Sequence, residues 1–167
     1  MQRGKASLIF FGILAGAVAF IWRTSTGLPD VVASHFAASG AANGFMPRAL
    51  YVPFMLGLVV VLPSVMVLLP GIGLNRPHAR INLPHRDYWL APTRRAETVR
   101  VLRDHMAYVG ALLVVFLSYV HWLVVRANEV APPSLPMPWF FAGLAVFGVA
   151  AGAWARALIW HFRRVPQ

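Results

Sequence analysis

The sequence predicts an all-α membrane protein: a four-transmembrane-helix bundle with a cytoplasmic amphipathic helix and an ordered outer loop. Three observations predict it. Four apolar runs have bilayer-spanning length, only 12% of residues are charged, and Lys and Arg are divided unevenly between alternate loops. A soluble domain carries about 25% charged residues. Half that fraction cannot coat a globule of 167 residues that are 59% hydrophobic. A bilayer removes the need, because lipid accepts an apolar exterior. At about 20 residues per span, four helices consume roughly half the chain, so residues 1–167 are read as a single membrane domain.

The first span is Ala6–Trp22, which holds no ionisable residue and ends on the interfacial pair Trp22-Arg23. Ala17-Val18-Ala19 has the small-residue pattern of a signal-peptide cleavage site, but the apolar run is long for a leader and is read as a retained helix. A polar loop follows from Thr24 to Arg48, broken by Gly27, Pro29, Gly40, Gly44 and Pro47. Its middle, Val31–Phe36, suits a short strand or one helical turn. The second span, Leu50–Leu69, carries Pro63 in its interior. Proline removes a backbone donor there, so a kink is expected, and the helix must pack against neighbours that satisfy the freed carbonyl.

A connector then runs from Gly71 to Leu90. Pro92–His105 reads as an amphipathic helix, with Ala96, Val99, Leu102 and Met106 at helical spacing and Arg94, Arg95, Arg100 and Arg103 on other faces. Such a helix lies at the membrane surface and leads into the third span, Met106–Val125. The fourth span, Trp139–Trp160, has tryptophans at both ends, as an aromatic belt requires.

Orientation follows from counting cations by loop. Of 15 Lys and Arg, twelve fall on the side that holds Lys5, the Arg76–Arg103 region and the C-terminal tail. Arg23, Arg48 and Arg126 fall on the other. The richer side is cytoplasmic by the positive-inside rule, so both termini are expected inside. The same cations explain the net charge of +10 through anionic lipid headgroups rather than nucleic acid.

Little in the chain points to catalysis. Cysteine is absent, which excludes disulfides and thiolate-bound metals. No charge lies near a span centre, where pumps and relays place theirs. The histidines form no HxxxH or HExxH pattern, and no serine has a G-x-S-x-G setting. No cofactor and no metal is expected. Two clusters stay open as alternatives to this. On the outer side His35 and His121 can converge with Asp30 or Glu129, giving either hydrogen-bonded histidines or a metal-dependent site. On the inner side His78, His85 and Asp87 can do likewise. The expected arrangement is His35 facing inward, partnered by Asp30 or by His121 and Glu129. His121 itself is expected at an interface, bonded to a headgroup or the loop. Asp30 and Arg48 flank the loop and can pair, and Ser118 and Tyr119 suit interhelical hydrogen bonds. Gly12/Gly16 and Gly148/Gly152 form GxxxG pairs, which let helix backbones approach closely. They serve either contact between the first and fourth helices of one bundle, or homo-oligomerisation and partner docking.

Two loop segments carry a resemblance. Leu28-Pro29, five residues, then His35-Phe36, Gly40, Asn43 and Gly44 resembles the extracytoplasmic signature of the SdpI-like bacterial membrane proteins. Asn43 stands where that pattern has an acidic residue, and Arg48 where it often has lysine. The stretch Ile81–Pro92, with Asn82, Pro84, Arg86, Asp87, Tyr88 and Trp89, resembles a cytoplasmic segment of one branch of the same family. The resemblance implies a small inner-membrane protein, and the family's namesake acts in immunity and sensing; with no catalytic pattern in the chain, the expected role is non-enzymatic binding of a peptide or protein partner. An accessory subunit of a larger membrane complex is the alternative, and a metal-dependent membrane enzyme a second. Apart from any resemblance, Pro29 and Gly40 bracket a compact loop around His35. The ordered loop is therefore expected to fold back over the outer helix ends.

Overall fold

In the computed structural model, which describes residues 4–74 and 82–164, five helices and a hairpin follow in order. They are α1 (Lys5–Ser25), β1 (Val31–Phe36), β2 (Ala42–Pro47), α2 (Arg48–Leu74), α3 (Arg86–Trp89), α4 (Arg95–Asn128) and α5 (Met137–Arg163). Four of the helices are long and apolar enough to cross a membrane. Arg3, Arg76, His78, Arg80 and Ile81 lie outside the described residues.

The α1 helix buries Ala6, Phe10, Ala17, Ile21 and Ser25. These positions form one stripe at helical spacing, and the stripe faces α4 and α2. It leaves Gly12 and Gly16 on the opposite side, where a Cβ would meet nothing within 4 Å. Gly148 and Gly152 of α5 are equally open. Neither GxxxG pair therefore mediates contact between the first and fourth helices, contrary to the within-bundle expectation. The close approaches lie at other glycines. A Cβ on Gly110 of α4 would collide with Val67 of α2 and come within 3.1 Å of the Phe10 ring of α1. Flanked by buried Ala107 and Ala111, Gly110 is where three helices converge.

The expected amphipathic helix and third span are one uninterrupted helix, α4, of 34 residues. At 1.5 Å per residue it is about 51 Å long, well beyond a hydrocarbon core of about 30 Å. Its first turns are not a separate surface element, because Thr98, Val99 and Leu102 are buried. The helix begins at Arg95, later than Pro92, after a turn over 91–94. The α2 helix runs through Pro63 as one element with the proline buried, in keeping with the expectation that it packs against neighbours.

The outer loop is an antiparallel hairpin, with Val31 opposite Pro47 and Ala33 opposite Phe45. The register shifts around His35, the signature of a bulge that twists the strand. Val32 and Ala33 both face the helices and are buried, while Val31 and Phe45 stay exposed. The core thus runs from Ala6 and Phe10 through Ile21, Met55 and Val114 to Val32 beneath the hairpin. By contrast α5 packs on α4 alone among its major contacts, and none of its most apolar window is buried.

Gly110→Val should lower the unfolding free energy in detergent by about 1–3 kcal/mol through overpacking. Gly148→Ile, whose side chain meets open space, should leave it unchanged. Equal effects at both sites, read as thermal midpoints, would show that the packed and open glycines have been exchanged.

Candidate functional site

The end of the molecule that carries the hairpin is organised around His121. One α-helical position places it among three helices, and it is fully buried. Its Nε2 lies 2.9 Å from Thr24 Oγ1 of α1, and its Nδ1 lies 3.0 Å from the Tyr51 hydroxyl of α2. The Tyr51 ring stacks on the imidazole at 5.8 Å, and Phe20 meets it edge-on at 6.2 Å. Thr24 has a carbonyl acceptor of its own in Phe20 O at 2.8 Å. One proton assignment satisfies every group: Thr24 donates to Phe20, Nε2–H donates to Thr24, and Tyr51 donates to Nδ1. A neutral imidazole has one donor and one acceptor, and both are used. His121 is therefore a buried three-helix tie, not the interfacial residue expected from the sequence.

The hairpin is fastened above this tie. Asn128, in the last turn of α4, offers its carboxamide to Ala33 as a strand would. Ala33 N–H donates to Oδ1 at 2.8 Å, and Nδ2 donates to the Ala33 carbonyl at 3.0 Å. A second clip joins the hairpin turn to the α4–α5 connector. Leu135 N–H donates to Gly40 O at 2.8 Å, and Ala42 N–H to Pro133 O at 3.2 Å. Gly40 has φ +88°, and a Cβ there would stand 2.6 Å from the Leu135 carbonyl. Both the left-handed conformation and the close approach require glycine. A third clip is Arg48, which donates to Leu28 O at 2.7 Å and to Asp30 Oδ1 at 3.0 Å. The pairing of Asp30 with Arg48 is the one anticipated from the sequence.

These clips decide where His35 goes. The expectation that it faces inward toward Asp30, His121 or Glu129 is not met. Asp30 is held by Arg48, Glu129 by Arg126 at 2.6 Å, and His121 by Thr24 and Tyr51. With Val32 and Ala33 taken as the buried positions, His35 emerges exposed on the bulged strand. Its Nδ1 lies 3.0 Å from Ser34 Oγ. Its ring covers Gly44, where a Cβ would come within 2.9 Å of His35 Cβ. Among the described residues no group of three or more His, Asp or Glu stands together, so the outer convergence required for a metal site is not present there.

His35 instead edges a cleft. The space, about 340 Å³, lies between the hairpin (Ser34–Ala38) and the helices, which contribute Val120, Leu123 and Val124 from α4 and Met137 and Phe140 from α5. Phe36 is half-buried and packs against the core, whereas Asn43 is exposed on β2.

At the end opposite the hairpin the second loop segment docks through Trp89. Its indole N–H donates to Phe162 O at the end of α5, at 2.9 Å. The ring stacks on His161 at 5.5 Å, and Thr98 Oγ1 of α4 donates to the Trp89 carbonyl at 2.7 Å. Tyr88 packs edge-on against Trp89 and carries Arg94 over its face, 4.0 Å from the centroid. His85 adopts φ +50° just before α3. Asn82, Pro84, Arg86 and Asp87 are exposed around it. His78, the expected third member of the inner cluster, lies outside the described residues. Tyr119 makes the interhelical bond expected of it, to Trp139 O at 2.7 Å, but Ser118 bonds Val114 within its own helix.

Sequence reasoning missed Asn128, Thr24 and Tyr51. An asparagine in the last turn of a helix, facing a polar loop, is the one signal that would have flagged the clamp. No family model, characterised protein or solved structure matches the chain.

Asn128→Leu should strip the buried Ala33 amide and carbonyl of this partner. An unsatisfied buried group costs about 1–3 kcal/mol, so hydrogen exchange should accelerate across Val31–Phe36 while the helices keep their protection. Unchanged exchange in the hairpin would mean that the strand pairing alone holds it.

Proposed function

We propose that this chain is a multi-pass bacterial inner-membrane protein of the SdpI-like kind, with both ends in the cytoplasm, and that it binds a peptide or protein partner at its outer face without catalysing a reaction. The observation that carries the reading is the cleft beneath the clamped hairpin. A rigid strand presents His35 and Ser34 at the edge of an apolar space of about 340 Å³. Exposed Val31 and Phe45 sit on the same hairpin. An apolar pocket with a few polar groups at its rim is the usual form of a recognition site. The clips at Asn128, Gly40 and Arg48 hold it in shape before any partner arrives, which limits the entropy lost on binding. The SdpI-like loop pattern falls on this hairpin, and immunity or sensing is the role it suggests.

Charge distribution supports the orientation. Arg23, Arg48 and Arg126 cluster at the hairpin end, while Lys5, Arg94, Arg100, Arg156 and Arg163 belong to the opposite helix ends. A second reading, an accessory subunit, is favoured by α5, whose Gly148 and Gly152 face open space and whose apolar surface the rest of the chain leaves uncovered.

In intact cells, a cysteine replacing Ser39 should react with a membrane-impermeant thiol reagent, and one replacing Thr93 should not. The reverse pattern would invert the topology and put the hairpin in the cytoplasm.

A photo-crosslinking residue at Ala38, on the cleft rim, should capture a discrete peptide or protein in membranes, and His35→Ala should reduce the yield. The same residue at Val149 reads the subunit alternative. Capture from Val149 at fixed stoichiometry, with none from Ala38, would replace the outer-face reading by the accessory one.

A further inference from the structure

We propose that the cleft between α4 and α5 is a phospholipid site, taking one acyl chain between the helices and the lipid phosphate at Arg126. The inference rests on reading these helices as membrane spans. The cleft is a separate space from the one under the hairpin, with a volume of about 400 Å³ and lined by apolar and aromatic side chains of the two helices. Its floor is aromatic. Phe116 stacks on Phe147 with centroids 4.4 Å apart. The Tyr119 ring lies so close to Gly143 that any Cβ there would collide with it. Lacking a side chain, Gly143 lets the ring recede against the α5 backbone and leaves the slot open above it. The Tyr119 hydroxyl is engaged by Trp139 O, so it presents the slot with a ring face.

At its outer end the slot does not close. Trp122 and Trp139 line it and also line an adjoining cavity of about 430 Å³, to which Arg126 and Ser134 contribute. The order along the helix axis is therefore hydrocarbon slot, indole pair, cation. A phospholipid presents the same order: acyl chain, ester region, phosphate. Tryptophan favours the interfacial zone between the last two, and a guanidinium at the level beyond it pairs with a phosphate through charge-assisted hydrogen bonds. Arg126 is paired with Glu129 at 2.6 Å and remains half exposed. A guanidinium has five donors in a planar fork, so a carboxylate on one nitrogen steadies the group and leaves others for a phosphate oxygen.

The lining also argues against a protein helix as occupant. Helices that approach closely in a bilayer do so through small residues. The GxxxG faces, Gly12/Gly16 and Gly148/Gly152, open elsewhere, whereas the cleft is walled mostly by Phe, Tyr, Trp, Leu and Val, and of its two small residues, Ala142 and Gly143, the glycine is covered by the Tyr119 ring. A flexible chain can follow such a wall.

The test is native mass spectrometry of the full chain in detergent, titrated with dioleoyl phosphatidylglycerol. The unaltered protein should retain one lipid. Ala142→Trp, which fills the slot, should reduce retention about tenfold, and Arg126→Gln by a similar factor. Val149→Trp, on the outward face of α5, should not reduce it. Leu112→Trp fills the slot from α4 and gives the same readout if Ala142→Trp fails to fold. Retention unaffected by both slot-filling variants, or an unaltered protein that binds no lipid, would overturn the proposal. So would a stable dimer cross-linked through Ala142. Carbonate-resistant pelleting of the unaltered protein reads membrane insertion separately. A protein that pellets but retains no lipid removes the groove and leaves the membrane reading standing.

Discussion

A buried imidazole with both nitrogens engaged sits where α1, α2 and α4 meet. His121 cannot leave this junction without stranding the buried Tyr51 hydroxyl, whose partner is Nδ1, in an apolar surrounding, where an unpaired polar group is heavily penalised. The junction therefore sets the depth of three helices relative to one another. Everything at the hairpin end inherits that register: Asn128 lies two turns further along α4, and Arg48 begins the helix that carries Tyr51 one turn later. The hairpin can be clamped because the residues that clamp it are already at the right heights.

Above the junction the governing rule is that backbone groups near the helix ends must find partners. The two-stranded hairpin has two edges, and a pair of strands alone is marginal. Here the chain supplies the missing neighbours from non-strand sources. A carboxamide imitates a strand at Ala33, and the connector before α5 pairs with Gly40 and Ala42. The consequence is a clamped rim with His35 at the edge of an apolar cleft, the geometry on which the proposed recognition rests.

The attachment of α5 follows a different logic. Three side chains at three depths donate to backbone carbonyls: Tyr119 to Trp139, Trp154 to His105, and Trp89 to Phe162. Each uses a ring that is otherwise apolar, so α5 is tied to α4 and α3 by its polar handles while its apolar surface stays uncovered. Between the ties the two helices separate around the aromatic floor at Phe116 and Phe147. The uncovered helix and the open slot are the features on which the proposed lipid contact rests.

Much of the architecture was legible in the amino-acid order. The four long helices, the break after the first of them and the pair Asp30–Arg48 follow from hydropathy, glycine and proline placement, and charge, all of which act over neighbouring residues, whereas Val31–Phe36 suits a strand or a helical turn equally until β2 pairs with it. The contents of the site were not. His121 reads as a polar residue near a helix end, and only the arrival of Thr24 and Tyr51 from other helices makes it a core residue. His35 reads as a bracketed loop histidine, and the choice of Val32 and Ala33 as the buried positions, imposed by Asn128, turns it outward. The two GxxxG pairs read as packing faces, yet Gly110 and Gly143, which lie in no such motif, are the glycines a neighbouring ring or side chain presses against. Which segments are helical and apolar follows from residue order alone, because those properties are local. The tertiary structure decided which polar groups meet and which small residues are crowded, because each such contact depends on the relative rotation of helices far apart in the chain.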